Sequence, residues 1–246
     1  MPVTEQALET LRDGAIAPSL EKLPGTATSS DPQNWPAFLK GISLFDNAVR
    51  LRNLIWTLQR HFPAGAELLE VGFGSGTTAV LLADLGYQVT ACDIDAELVE
   101  RLESRYSDWI AQSRLAIQQA DMFQFPWPSK TFDVAYHQGV LEHFSDEKIV
   151  AALREQSRVA RFVLFDVPNH RYGAQPFGDE RLLPIRHWRR LIQNAGMDVV
   201  DQRGRDFHHW LYCLPHVLFS HQVLDRFPWF SRQFAVSSIF LCGSKP

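Results

Sequence analysis

Glycine recurs at every second position in Glu70-Val71-Gly72-Phe73-Gly74-Ser75-Gly76, and this loop has the clearest chemical use in the 246-residue chain. Glycine at 72, 74 and 76 lets a backbone turn sharply and approach a ligand with no Cβ in between. The amides of a helix opened by Thr77-Thr78-Ala79-Val80 would then face a negative group, such as an amino-acid carboxylate. About twenty residues on, Ala91-Cys92-Asp93 closes an apolar run, where a carboxylate can accept hydrogen bonds from both hydroxyls of a ribose. The other reading of Asp93 is a turn residue at a strand end. Asp95 reads as the N-cap of a helix beginning at Ala96.

The spacing is Gly-x-Gly-x-Gly. A dinucleotide fingerprint carries its third glycine one place later, where this chain has Thr77. An NAD(P)-dependent oxidoreductase is therefore an alternative that the spacing disfavours, and the chain has no Tyr-x-x-x-Lys pair for hydride transfer.

These residues need elements to hold them. After Gly65 short apolar strands alternate with helical stretches: Glu67–Val71, Gly76–Leu85, Gln88–Cys92, Ala96–Gln112 and Leu115–Gln118. The rhythm continues through Phe132–Tyr136, Asp146–Val159, Phe162–Phe165, Pro184–Ala195, Asp198–Gln202 and Ser237–Cys242. It predicts an α/β fold, a doubly wound, seven-stranded and mostly parallel sheet with crossover helices. Ahead of it, Thr4–Ile16 and Ala37–Phe62 have helical periodicity, separated by a loop dense in Pro and Gly.

With the glycine loop, Val89-Thr90-Ala91-Cys92-Asp93-Ile94-Asp95 and Ala120-Asp121-Met122 in this order, the chain resembles the class I S-adenosylmethionine-dependent methyltransferases of the small-molecule type, with a Rossmann-like fold. The segment Phe132-Asp133-Val134-Ala135-Tyr136-His137-Gln138-Gly139-Val140-Leu141-Glu142-His143-Phe144 is similar to the fourth-strand motif that ends beside the transferable methyl group. The resemblance implies S-adenosyl-L-methionine as cofactor and S-adenosyl-L-homocysteine as product. It implies that Glu70, Gly72, Phe73, Gly74, Gly76 and Asp93 hold the cofactor with His137. Asp121 would accept from the adenine amino group, Met122 would offer its backbone amide, and Ile94 would lie against the ring. Residues 1–62 would form a helical cap and linker over the cofactor cleft, residues 63–246 the methyltransferase domain, and the whole a single structural domain. Relatives that hold a divalent metal carry an acid three residues before the Glu-His pair. Gly139 stands there, so no metal is expected, and Glu142 and His143 read as residues that pack and cap the loop.

Methyl transfer from a sulfonium is an in-line displacement that needs no covalent enzyme intermediate, so positioning of the acceptor is the main task. For a hydroxyl acceptor a base helps, and histidine suits neutral pH. Three candidates follow: His137 after the fourth strand, then His143, then His170 in Pro168-Asn169-His170-Arg171-Tyr172-Gly173. Each has a purely structural alternative, and for His137 this is backbone contact with the methionine part of the cofactor. Arg171 and Tyr172 could orient an anionic or phenolic acceptor.

The formal charge of −4 removes the electrostatic footprint of a nucleic-acid binder. The resemblance implies a small acceptor, expected to be hydrophobic or aromatic, and His137 favours oxygen over nitrogen or carbon as the methylated atom. Arg186, Arg189 and Arg190 read as a solvated helical face. Cys92, Cys213 and Cys242 show no metal or redox spacing, and no apolar run reaches the ~20 residues of a membrane span, so a cytoplasmic protein is expected. Residues 207–234 hold eight aromatic residues and read as an insertion before the last strand: a lid on a hydrophobic acceptor, a homodimer surface, or a hairpin sealing the sheet. The remaining alternative is an inactive methyltransferase-fold scaffold, which would have no need of a cradle free of side chains.

Overall fold

The structure is a computed structural model, and it describes residues 44–173, 179–207 and 235–244. The first predicted helix, the loop after it and the aromatic insertion after Phe207 lie outside the described residues.

The chain order is α1 (Leu44–His61), β1 (Glu67–Val71), α2 (Thr77–Asp84), β2 (Gln88–Asp93), α3 (Ala96–Arg105), α4 (Ser107–Ala111) and β3 (Leu115–Gln119). It continues with β4 (Phe132–Gln138), a 3₁₀ turn (Leu141–His143), α5 (Asp146–Val159), β5 (Ala160–Pro168), α6 (Ile185–Asn194), β6 (Met197–Phe207) and β7 (Ala235–Ser244). The strands form one sheet in the order β3-β2-β1-β4-β5-β7-β6. β7 runs antiparallel to both of its neighbours, while the pairs among the first five strands are parallel. This is the expected doubly wound α/β sheet. Its strand order reverses between β1 and β4, and a ligand of such a sheet binds beyond the carboxyl ends of the strands there.

Strand alternation sorts the core into two layers. Leu68, Val134, Tyr136, Leu164, Ile239 and Leu241 pack with Leu51, Leu54 and Leu58 of α1 and with α2 and α3. Val163, Phe165, Val167, Phe240 and Cys242 pack on the other face with Ile149 and Leu153 of α5 and Trp188, Leu191 and Ile192 of α6.

Three elements depart from the sequence reading. Helix α1 was expected over the cleft. It lies instead across the sheet face, where Asn53 Nδ2 donates to Gly204 O of β6 at 3.0 Å and the Tyr87 hydroxyl donates to Phe62 O at 3.2 Å. The apolar stripe of α1 is spent on that core. The single helix expected over Ala96–Gln112 is two, because Tyr106 leaves helical geometry (φ −113°, ψ 24°) and its hydroxyl donates to Ser75 O at 3.0 Å. Strand β6 is also longer than expected. Its polar Asp201, Arg203 and Arg205, together with a bulge near Val199, hide the alternation that pairing with β7 imposes.

Candidate functional site

Beyond the carboxyl ends of β1, β2, β4 and β5 lies a cleft of about 690 Å³, the size of a small-molecule site. Its floor is tied together across strands. Gly72 N donates to Cys92 O at 2.8 Å, Ala120 N to Asp93 O at 2.9 Å and Gly139 N to Asp166 O at 3.1 Å, so the four loops leave the sheet in fixed relation.

The glycines divide their work. Gly72 and Gly74 line the cleft, as do Phe73 and Ser75 between and after them. At Gly72 (φ +71°) a Cβ would stand 3.0 Å from Val140 of the loop after β4, so glycine here brings two cleft loops together. Gly76 is not part of the lining. It sits at φ +71° as the N-cap of α2, and a Cβ there would meet the Tyr106 ring at 2.7 Å. The third glycine therefore makes room for Tyr106, which braces the loop from behind, where the sequence suggested a glycine facing the ligand.

Glu70, the last but one residue of β1, lies opposite Tyr136 of β4 in register, and the residue is 5% exposed at the cleft wall. Burial pushes that carboxyl up to about 8, against the opposing pull of Tyr136, Thr78 and the Ala79 amide. Glu70 Oε2 has no hydrogen-bond partner among the described residues, a buried acceptor open to a ligand's donor. At the end of β2, Asp93 is raised from its ordinary value by burial, and its Oδ1 accepts from Asp95 N at 3.1 Å. Asp95 caps α3 as expected, accepting from Glu97 N and Leu98 N. Ile94 lines the cleft with 63% of its surface exposed. Asp121 and Met122 line the cleft as well, with Asp121 Oδ1 accepting from Phe123 N at 2.9 Å. An apolar slot between Ile94 and Met122, with carboxylates at 93 and 121, suits a purine nucleoside. The cradle at 70–75 suits a charged amino-acid tail. The residues present thus fit S-adenosylmethionine.

The three histidines separate. His137 is 1% exposed and absent from the cleft lining. Its neighbour Gln138 faces the cleft, so the alternation of β4 turns His137 toward the α5 side, beside Gln156, where burial pushes it down to about 3. That placement corrects the reading of His137 as the base beside the methyl group. His170 is exposed on the turn after β5 and does not line the cleft. His143 does line it, with its side chain 11% exposed and Nδ1 2.8 Å from Asp179 Oδ1. Of the two acceptor candidates, Tyr172 borders the cleft and Arg171 does not.

Several cleft residues escaped the sequence reading. Asp166, Glu180, Arg205 and Ser237 line the cleft together with Glu142. One signal was legible, an aspartate inside the apolar run Phe162-Val163-Leu164-Phe165-Asp166-Val167. Asn169 is fully buried and holds the loop that carries Tyr172: its Nδ2 donates to Ala235 O at 3.0 Å, and its Oδ1 accepts from Arg171 N at 2.9 Å. Arg181 anchors the segment that carries Asp179 and Glu180, donating to Phe144 O at 2.7 Å and Asp146 Oδ1 at 2.6 Å.

Comparison with known proteins places similar chains around this geometry. Residues 68–162 match a family model described as a methyltransferase domain. A Mycolicibacterium smegmatis protein, named a probable S-adenosylmethionine-dependent methyltransferase, is 29% identical over 63% of this chain and 61% of its own length. The ubiquinone biosynthesis O-methyltransferase of Xanthomonas axonopodis pv. citri is 31% identical over 67% of this chain and 74% of that protein. Against four of the curated relatives it matches, the chain spans between 36% and 61% of their length. In fold it resembles magnesium protoporphyrin IX methyltransferase from Synechocystis PCC 6803, solved with bound S-adenosylhomocysteine. The TM-score is 0.59 at 13% identity, covering 86% of this chain and 93% of that one.

Proposed function

The chain belongs to the S-adenosylmethionine-dependent methyltransferases, and from that premise we propose that it methylates a small, hydrophobic or aromatic acceptor, on oxygen in preference to nitrogen or carbon. One observation carries the reading: a single cleft runs from the glycine cradle and the Asp93, Ile94, Asp121 and Met122 side to a polar wall at Glu142, His143 and Tyr172. The O-methyltransferase named among the relatives favours oxygen.

S-adenosylmethionine, when bound, supplies an electrophilic methyl group on a sulfonium. In the proposed roles, Gly72, Phe73, Gly74 and Glu70 hold its amino-acid end, with Glu70 accepting from the ammonium. Asp93 accepts from the ribose hydroxyls, Ile94 and Met122 enclose the base, and Asp121 accepts from its amino group. His143, oriented by Asp179, takes the acceptor's proton: with Nδ1–H donating to the carboxylate, the lone pair lies on Nε2. Tyr172 borders the acceptor. His137 contributes packing beneath the cleft floor.

Incubation of the purified chain with isotope-labelled cofactor and a metabolite extract, followed by mass spectrometry, should find a product heavier by one labelled methyl group. Titration calorimetry should find affinity for S-adenosylhomocysteine. Affinity for NAD(P)H with none for S-adenosylhomocysteine would sink the reading. Cofactor binding without turnover across broad acceptor pools would turn it toward a binding scaffold.

A further inference from the structure

The cleft wall around Glu142 carries four ionisable side chains to which the proposed cofactor binding gives no role. Glu142, in the 3₁₀ turn, is 3% exposed and lines the cleft. Its Oε1 lies 3.6 Å from the position of a Cβ on Gly139, and its Oε2 has no hydrogen-bond partner among the described residues. Asp166 from the end of β5, Glu180 and Arg205 from β6 stand around it. The guanidinium of Arg205 is already engaged, with Nε donating to Asp166 Oδ2 at 2.5 Å and Nη2 to Ser237 Oγ at 3.3 Å. Three carboxyl groups and, among the described residues lining the cleft, one guanidinium thus meet at this part of the wall.

A buried carboxyl oxygen without a partner is a standing cost that an incoming donor removes. A negative group brought to the same wall would meet the charges of Asp166 and Glu180 in a place with little water to screen it. Burial first, and then the charges of Asp166 and Glu180, push the Glu142 carboxyl up to about 8, against the opposing pull of a backbone hydrogen bond and of Arg205.

Building on the acceptor reading above, we propose that Glu142 recognises the acceptor as a hydrogen-bond donor: the acceptor turns a neutral hydroxyl or amino group to Glu142 Oε2, and molecules with a carboxylate or phosphate at that place are excluded. Arg171, which the sequence suggested for an anionic acceptor, does not reach the cleft lining.

The test uses the full chain saturated with S-adenosylhomocysteine and two ring-matched probes, catechol and benzoate, titrated by calorimetry or ligand-observed NMR. Catechol should bind at least about tenfold more tightly than benzoate. Glu142→Leu, which removes the acceptor oxygens, should weaken catechol by at least about tenfold and leave S-adenosylhomocysteine affinity unchanged. Glu142→Gln, which keeps one acceptor oxygen, should hold catechol within about threefold of the parent. Equal affinity for the two probes, no binding of either, or unchanged catechol affinity in Glu142→Leu overturns the proposal. If Glu142→Leu fails to fold, the parent's preference between the probes and the Glu142→Gln result decide. Failure of the parent to bind S-adenosylhomocysteine overturns the underlying reading as well, whereas cofactor binding with indifferent probes overturns only the role of Glu142.

Discussion

The imidazole of His137 lies flat against the ring of Phe165, with centroids 5.4 Å apart and planes 9° from parallel. The two residues are register partners on β4 and β5, and both face the helical layer of α5 and α6. A ring held this way is part of the core. His137→Ala should cost about 2–4 kcal/mol of stability, in the range of large-to-small core substitutions. Chemical denaturation would measure it, and calorimetry should find S-adenosylhomocysteine affinity changed by less than about threefold in the folded fraction. A loss of turnover greater than the loss of folded protein would restore His137 as a base.

Gly76 and Tyr106 make a second dependent pair. Gly76→Ala places a Cβ 2.7 Å from the Tyr106 ring at φ +71°, so overpacking and left-handed strain add to roughly 2–4 kcal/mol. Tyr106→Ala alone should also destabilise, because the hydroxyl bond to Ser75 O is lost. The double variant should be less damaged than the sum of the singles, since the clash needs both side chains. Additive losses in denaturant melts would disprove the brace.

Asp93 bears on affinity more than on stability. Its carboxylate stands at the end of β2 on the cleft, and hydrogen bonds to a charged group contribute about 1.5–3 kcal/mol. Asp93→Ala should weaken S-adenosylhomocysteine by roughly ten- to a hundredfold. An unchanged dissociation constant would return Asp93 to a turn residue.

The two buried glutamates give stability a pH signature. Glu70 and Glu142 are raised from 4.5 to about 8, so the folded protein holds these protons more tightly than the unfolded chain. Their stabilising contribution is complete below about 4.5 and is lost as pH rises toward about 8. His137 runs the other way: lowered from 6.5 to about 3, it contributes in full above 6.5 and loses its contribution as pH falls toward 3. Glu142 is faced by Asp166, Glu180 and Arg205, and Glu70 by Tyr136, Thr78 and Asp93. Glu142→Gln should flatten the fall in unfolding free energy between pH 4.5 and about 8, read from denaturant melts across pH. A slope equal to the parent's would show that Glu142 titrates normally.

His143 and Asp179 should behave as a unit in turnover. His143→Ala is expected to lower kcat by about 10²–10⁴ on a hydroxyl acceptor, with cofactor affinity kept. Asp179→Asn should cost less, because its carboxylate is more exposed than the histidine it orients. Full turnover in His143→Ala, measured by cofactor consumption, would leave positioning as the whole of the catalysis.

The order of strands and helices, the glycine loop, the Asp95 cap and the acidic ends of β2 and β3 were all legible in the chain itself. Each rests on a local property: a period of two or of 3.6, a cap three residues long, or glycines at fixed spacing. The face on which a strand-end side chain emerges is a different matter. One residue separates Gln138 in the cleft from His137 beneath it, and only the pairing of β4 with β5 fixes which is which. The role of Gly76 waited on Tyr106, thirty residues away, and the interruption of the helix at Tyr106 waited on Ser75. The polar wall of the cleft gathers Glu142, Asp166, Glu180 and Arg205 from four separate segments. Periodicity fixes a residue's neighbours along its own element, but it carries no information about which element packs across from it. The methyl donor was therefore readable in sequence, and the polar wall of the cleft came into being only when these separate segments packed together.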